Sequence, residues 1–204
     1  MSIMQYNGGA VVAMTGKDCV AIACDRRFGV QQTTVAMNNT RVFKIHNKLY
    51  IGLGGLLTDV QTVSQILQFR HNLYRLREKR NMSPAAFTKV VSNLLYSKRF
   101  GPYFVDPIIV GIDEDNKPFV SSMDLIGATE ISDNFACVGT TEDELYGICE
   151  NLWNENMEDK DLFETISQAQ LSATDRDCLA GWGSVVYLIK NNSVTVTELK
   201  ARQD

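Results

Sequence analysis

Two short runs, Gly9 to Met14 and Cys19 to Cys24, are apolar at every position and are separated only by Thr15-Gly16-Lys17-Asp18. Turn residues between two such runs predict a β-hairpin, which makes the strands antiparallel. Strand side chains alternate between two faces, so an unbroken apolar run means that both faces are covered. Ser184 to Ile189 carries the same pattern. Antiparallel strands buried on both sides call for a second sheet on one face and helices on the other.

The rest of the sequence supplies both. Val42 to Ile45 and Leu49 to Leu53 form a second hairpin across His46-Asn47-Lys48, stopped by Gly54-Gly55, where the backbone can turn sharply or approach a neighbour closely. Residues 28 to 40 read as an exposed loop with a short strand inside it. Thr58 with Gln61 is a capping box, and Val60, Val63, Ile66 or Leu67, Leu73 and Tyr74 predict a long helix to about Lys79. Ser83 caps a second helix with Pro84 in its first turn and a stripe of Phe87, Val90, Val91, Leu94 and Leu95. A third hairpin joins Pro107–Ile112 to Pro118–Met123, and a strand follows over Phe135 to Val138. Thr141 with Glu144 caps a third helix that carries Leu145, Ile148, Cys149, Leu152 and Trp153, and a fourth runs from about Asp161 to Thr174. A hairpin of Ser184–Ile189 and Val194–Leu199 closes the chain. No strand–helix–strand alternation occurs, which excludes the doubly wound parallel class and predicts an α+β fold, two stacked antiparallel sheets with a helix pair outside each.

No stretch of the 204 residues resembles a linker, and the chain is read as one domain over 1–204. A domain of this size hides roughly 70% of its unfolded surface, so a 45% hydrophobic composition suffices without disulfides or metal. The net charge of -4 gives no reason to expect nucleic acid; the dense basic run from Arg70 to Arg80 reads as a solvated helix face or a subunit contact. Five cysteines in no C-x-x-C pair, far in sequence from His46 and His71, predict buried reduced thiols rather than a zinc site or a disulfide frame. The leading Met1-Ser2-Ile3-Met4-Gln5-Tyr6 lacks the basic start and apolar core of a signal peptide, and no run is long enough to span a membrane. An intracellular chain with no membrane contact is the expectation.

Taken in order, Asp25-Arg26-Arg27, Leu49 to Gly55, Thr58-Asp59-Val60, Lys98 to Tyr103, Ser122 to Gly127 and Ala173 to Asp177 resemble the beta-type subunits of the proteasome core particle. The resemblance covers nearly the whole chain. It implies the N-terminal-nucleophile hydrolase fold, a four-layer αββα sandwich, in a ring of seven different beta subunits. Active members are cut after a glycine to free an N-terminal threonine, whose own amine takes the proton from its side chain, assisted by a lysine, two aspartates and two serines.

Carried onto this sequence, the nucleophile position falls on Gly9 and the lysine position on Arg41, whose guanidinium stays charged and cannot relay a proton. One serine position holds Thr140, which keeps a hydroxyl; the other holds Ala180, which does not. Asp25 and Asp177 remain, and are expected to pair with Arg41, Arg26, Arg27 or Arg176 or to hold backbone N–H groups. A lost acid or base lowers rate by about 10² to 10⁴, but a lost nucleophile removes the covalent route altogether. With no Gly-Thr junction before the first strand, processing is expected to uncover no substitute, and Thr33 or Thr34 is far from any N-terminus. The expectation is a non-catalytic subunit with no catalytic residue, cofactor or metal.

The resemblance further implies other alpha and beta subunits as partners, with beta type-2 and beta type-4 as ring neighbours, unfolded polypeptides in the chamber, and a location in cytoplasm and nucleus. The segment matching Ser122 to Gly127 lies near the beta type-2 cleft in the family, so Asp124 is expected to favour basic side chains there. Lys98–Tyr103 and the tail from Glu198 to Asp204 are candidate contacts. An alpha-type subunit would carry an extra helix ahead of the first strand, and only eight residues precede Gly9.

Overall fold

The computed structural model describes residues 2–203. Met1 and Asp204, the outer ends of the leading segment and of the tail expected to make contacts, lie outside the described residues. After a short 3₁₀ turn at Ile3–Gln5 come β1 (Ala10–Thr15), β2 (Cys19–Asp25), β3 (Phe28–Val30), β4 (Thr33–Ala36), β5 (Val42–His46) and β6 (Leu49–Gly55). The helices α1 (Leu57–Glu78) and α2 (Pro84–Tyr96) follow, then β7 (Val105–Ile112), β8 (Pro118–Met123), β9 (Thr129–Ser132) and β10 (Phe135–Gly139). The second pair, α3 (Glu142–Leu152) and α4 (Asp159–Thr174), leads into β11 (Ser184–Lys190) and β12 (Val194–Leu199).

All strands pair antiparallel, in one sheet ordered β10-β1-β2-β11-β12, a second ordered β5-β6-β7-β8-β9, and a small β3–β4 ribbon. The unbroken apolar runs are explained by what each face meets. Val11, Ala13, Val20 and Ile22 pack between the sheets against Tyr50, Ile108 and Val110. Their alternates Val12, Met14, Ala21 and Ala23 pack with Leu145 and Cys149 of α3 and Leu162 and Ile166 of α4. On the far side, Leu49, Ile51 and Ile109 meet Val60, Val63 and Leu67 of α1 and Phe87 and Val91 of α2. Each buried Val, Ile or Leu contributes about 1.5–3 kcal/mol, more than a surface ion pair, so these faces set the α–β–β–α order. Gly52 sits where the sheets come closest: a Cβ there would lie 2.6 Å from Val11 Cγ1 and 2.9 Å from Ile22 Cδ1.

Several local expectations are corrected. Gly54-Gly55 does not stop β6, which runs through both. The Thr58–Gln61 capping box does not form: α1 starts at Leu57, its N-cap Leu56 offers no side-chain acceptor, and Asn7 Oδ1 takes the Leu57 N–H at 2.9 Å instead. Thr141 likewise makes no cap bond. The buried line of α1 passes through Leu67 and His71, leaving Leu73 partly exposed. Trp153 lies just past α3 and donates its indole N–H to Thr15 O at 3.1 Å. The region 28–40 holds two short strands rather than one, and β9 was unforeseen. Cys19, Cys24, Cys137 and Cys149 are buried free thiols as expected, whereas Cys178 is exposed. No described helix is long and apolar enough to cross a membrane.

Candidate functional site

The ends of β1, β2 and β10 and the turn after α4 bring five residues singled out in the sequence to one end of the first sheet, and Arg41, just before β5 of the second sheet, joins them there. Pairing of Val11 with Cys24 and of Ser184 with Asp25 places Asp25 under the head of β1. Its carboxylate is fully buried and accepts N–H groups from Ala10 at 3.1 Å, Gly181 at 3.2 Å and Arg27 at 3.3 Å, with Arg41 Nε at 3.2 Å. Burial pushes the Asp25 carboxyl above its ordinary pKa, and the Arg41 charge and the three amides oppose that rise. All four partners are donors, so the geometry suits the ionised form, which makes Asp25 a structural anchor rather than a proton carrier.

Arg41 is buried to the same degree. Its Nη2 donates to Gly8 O in a short contact and to Arg27 O at 3.3 Å, while Nη1 has no partner among the described residues. The guanidinium therefore fills the space in front of Gly9. A Cβ on Gly9 would lie 2.3 Å from Arg41 Nε and 2.4 Å from Cζ, and Gly9 adopts φ +136, a left-handed backbone that side chains rarely tolerate. Gly8, at φ +66, is equally confined, with its Cβ position 2.0 Å from Leu179 O.

On the other side of Gly9 lies Thr140. Its Oγ1 accepts the Gly9 N–H at 3.3 Å and donates to Asp177 Oδ2, and its own amide donates to Gly9 O at 2.8 Å. Asp177 Oδ1 accepts the Leu179 N–H at 2.9 Å, fixing the turn that carries Ala180. Ala180 is nearly buried and presents only a methyl group. In this chain the Gly9 nitrogen is an amide joined to Gly8, without the lone pair of a free amine, and Gly9 itself carries no hydroxyl. The expectation that the aspartates hold backbone N–H groups is met for both; the arginine pairing is met at Asp25.

The leading segment is built into this end of the molecule. Asn7 is 5% exposed; besides capping α1 it donates Nδ2 to Gly29 O at 2.9 Å. Arg27, fully buried, donates to Leu179 O at 3.1 Å, Gln31 O at 3.0 Å, Asn7 O at 3.3 Å and Thr34 Oγ1 at 3.0 Å. Met4 reaches the Cβ position of Gly55, and the Gln31 amide donates to Tyr6 O at 2.7 Å. Neither Asn7 nor this role of Arg27 was foreseen. No local signal separated Arg27 from Arg26, which follows β2 directly but stays partly exposed and pairs with Glu198; once buried, the Arg27 cation needs many acceptors.

Asp124 stands apart from the six, in the turn between β8 and β9. Its Oδ1 accepts the N–H groups of Ile126 at 3.0 Å and Ala128 at 2.8 Å, which shapes the turn. Among the described residues no group of three or more His, Cys, Asp or Glu side chains could hold a metal ion.

The chain matches the family model described as proteasome subunit over residues 5–189. It is 58% identical over 204 residues to proteasome subunit beta type-3 of Oryza sativa subsp. japonica and 57% identical over 204 residues to that of Picea mariana, each alignment covering both chains completely. It is 52% identical over 205 residues to proteasome subunit beta type-3 of Dictyostelium discoideum, again over the whole of both chains. With a family-wide match, relatives of this similarity along their full length and two stacked sheets between helix pairs, the chain belongs to the proteasome subunit family.

Proposed function

We propose that this chain is a non-catalytic, architectural beta-ring subunit of the 20S proteasome core particle, folded as one domain over 1–204 and acting in ubiquitin-dependent protein degradation in cytoplasm and nucleus. The observation that carries the reading is the head of β1: a glycine in a left-handed conformation, its nitrogen in a peptide bond, with the Arg41 guanidinium where a nucleophile's side chain would stand. Residues 2–8 stay attached in this account, because Asn7 and the Gly8 carbonyl are tied to α1 and Arg41. Gly9, Asp25, Arg41, Thr140, Asp177 and Ala180 then form a degenerate site that maintains the sheet end without chemistry.

What remains for the chain is its surface. Neighbours of beta type-2 and beta type-4 are proposed in the ring, with alpha subunits beyond, and permanent contacts of this kind bury about 2,000 to 5,000 Å². The Lys98–Tyr103 segment supports this reading: Phe100 is 97% exposed, with the Arg99 guanidinium 5.4 Å from its ring centroid and 5.6 Å from that of Tyr96. A large aromatic left in water beside a stacked arginine suits an interface anchor. Asp124 is proposed to add negative charge to the neighbouring beta type-2 pocket.

Tagging the chain in cells and separating the lysate by sedimentation tests the architectural role. All of it is expected in particles containing other proteasome subunits in equal amount; a stable pool with the mass of a single chain would contradict the reading.

A further inference from the structure

At the end of the sheets opposite the Gly9 site, the β5–β6 turn and the β11–β12 turn face each other across a cavity of about 490 Å³. Lys44, Lys48 and Lys190 line it together with Asn47, Asn191 and Asn192, and among the described residues no acidic one does. Neither Lys44 nor Lys48 enters an ion pair, and none of the three asparagine side chains is engaged in a hydrogen bond, among the described residues. The turns are held in place: Lys48 N–H donates to His46 Nδ1 at 3.2 Å, Ile112 N–H to Lys48 O at 3.0 Å, and Lys190 N–H to Ser193 O at 2.8 Å. Lys190 is anchored at the rim by an ion pair with Asp159.

A chain with net charge -4 has thus gathered uncommitted donors around one concavity. From this juxtaposition we infer that the cavity between the β5–β6 and β11–β12 turns binds a compact anion of the polyphosphate class. Ammonium groups supply charge to phosphoryl oxygens, and the carboxamide N–H groups supply directed hydrogen bonds. The volume falls among small-molecule sites, about 300–1,000 Å³. A long polyanion such as a nucleic acid fits less well, because acids flank the cavity, with Asp18, Glu158 and Asp159 on one side and Asp113 and Glu114 on the other. An acidic peptide fits less well too, since among the described residues Val194 is the sole apolar one in the lining and offers little to hold a peptide's side chains.

Lysine footprinting of the assembled core particle tests the inference. The particle is labelled with an amine-reactive acylating reagent at about 0.15 M salt with and without inorganic tripolyphosphate, and peptides of this chain are weighed. Saturable protection of Lys44 and Lys48, with Lys89, exposed on α2 and outside the cavity lining, unaffected as a control, is expected. In particles carrying Lys44→Gln and Asn192→Ala the concentration giving half-protection of Lys48 should rise about tenfold or more. Protection that never saturates, equal protection of Lys89, no change in the variant, or cavity lysines that the reagent cannot reach without ligand would each overturn it.

Discussion

Replacing Gly9 by threonine restores, on paper, the missing hydroxyl at the head of β1. The structure predicts damage instead. A threonine Cβ would fall 2.3 Å from Arg41 Nε on a backbone at φ +136. Holding a β-branched residue there costs about 1–3 kcal/mol. Arginine ends are usually flexible, but this one is fully buried and bonded to Asp25, Gly8 and Arg27, so displacing it breaks a buried pair at a further cost of about 3–5 kcal/mol. The loss, about 4 kcal/mol or more, is a large part of the about 5–15 kcal/mol that stabilises a typical domain. At about 2–4 °C per kcal/mol for a domain of this size, the unfolding midpoint should drop by about 8 °C or more. The assay is thermal unfolding of the chain together with its yield in assembled particles. Adding Arg41→Lys should recover part of the stability by clearing space, yet give no peptidase activity as long as the peptide bond after Gly8 stays uncut, because the nitrogen at position 9 is then an amide and no base, and Ala180 still lacks a hydroxyl. A Gly9→Thr chain that incorporates normally with an unchanged midpoint would refute the reasoning.

Asp106, half-buried, has its pKa raised to about 6, chiefly by burial and further by the charges of Glu142 and Asp124. Its folded-state pKa lies above its unfolded value, so its contribution is fully present below about pH 4 and is lost as pH rises through about 6. Asp106→Asn should therefore gain stability over the parent between those limits, reaching at most about 3 kcal/mol near pH 7, measured by denaturant unfolding across pH; a gain independent of pH would count against it. Asn7→Ala removes the acceptor for the Leu57 amide and should cost about 1 kcal/mol and speed hydrogen exchange at the first turn of α1, whereas unchanged exchange there would show that Asn7 is not its cap. Asp124→Asn keeps an oxygen for the Ile126 and Ala128 amides, so particles should assemble while cleavage after basic residues slows; unchanged trypsin-like activity would remove the proposed role in the neighbour's pocket.

The layer order was legible because β1, β2 and β11 are apolar on both faces, which leaves few arrangements for antiparallel strands. The six positions singled out came from the family resemblance alone, and the structure places them side by side around Gly9. What escaped was long-range polar satisfaction. Leu57 is capped by Asn7 from 50 positions away, which no local signal announces, so the Thr58–Gln61 spacing misled. Arg27 reaches Leu179 across 152 positions, and β9 is a polar edge strand whose pattern gives little to read. The fate of Asp177 was only half visible: its partners, Thr140 and Leu179, meet it through the fold rather than through neighbouring sequence.

The central claim is that nothing at the head of β1 can carry an acyl group. Core particles treated with a covalent threonine-directed inhibitor and analysed by intact mass of each subunit test it most directly. This chain's mass is expected to be unchanged by the inhibitor and still to include residues 2–8, while other subunits gain an adduct. An adduct on this chain, or a mature form trimmed to expose a residue with a reactive hydroxyl, would contradict it.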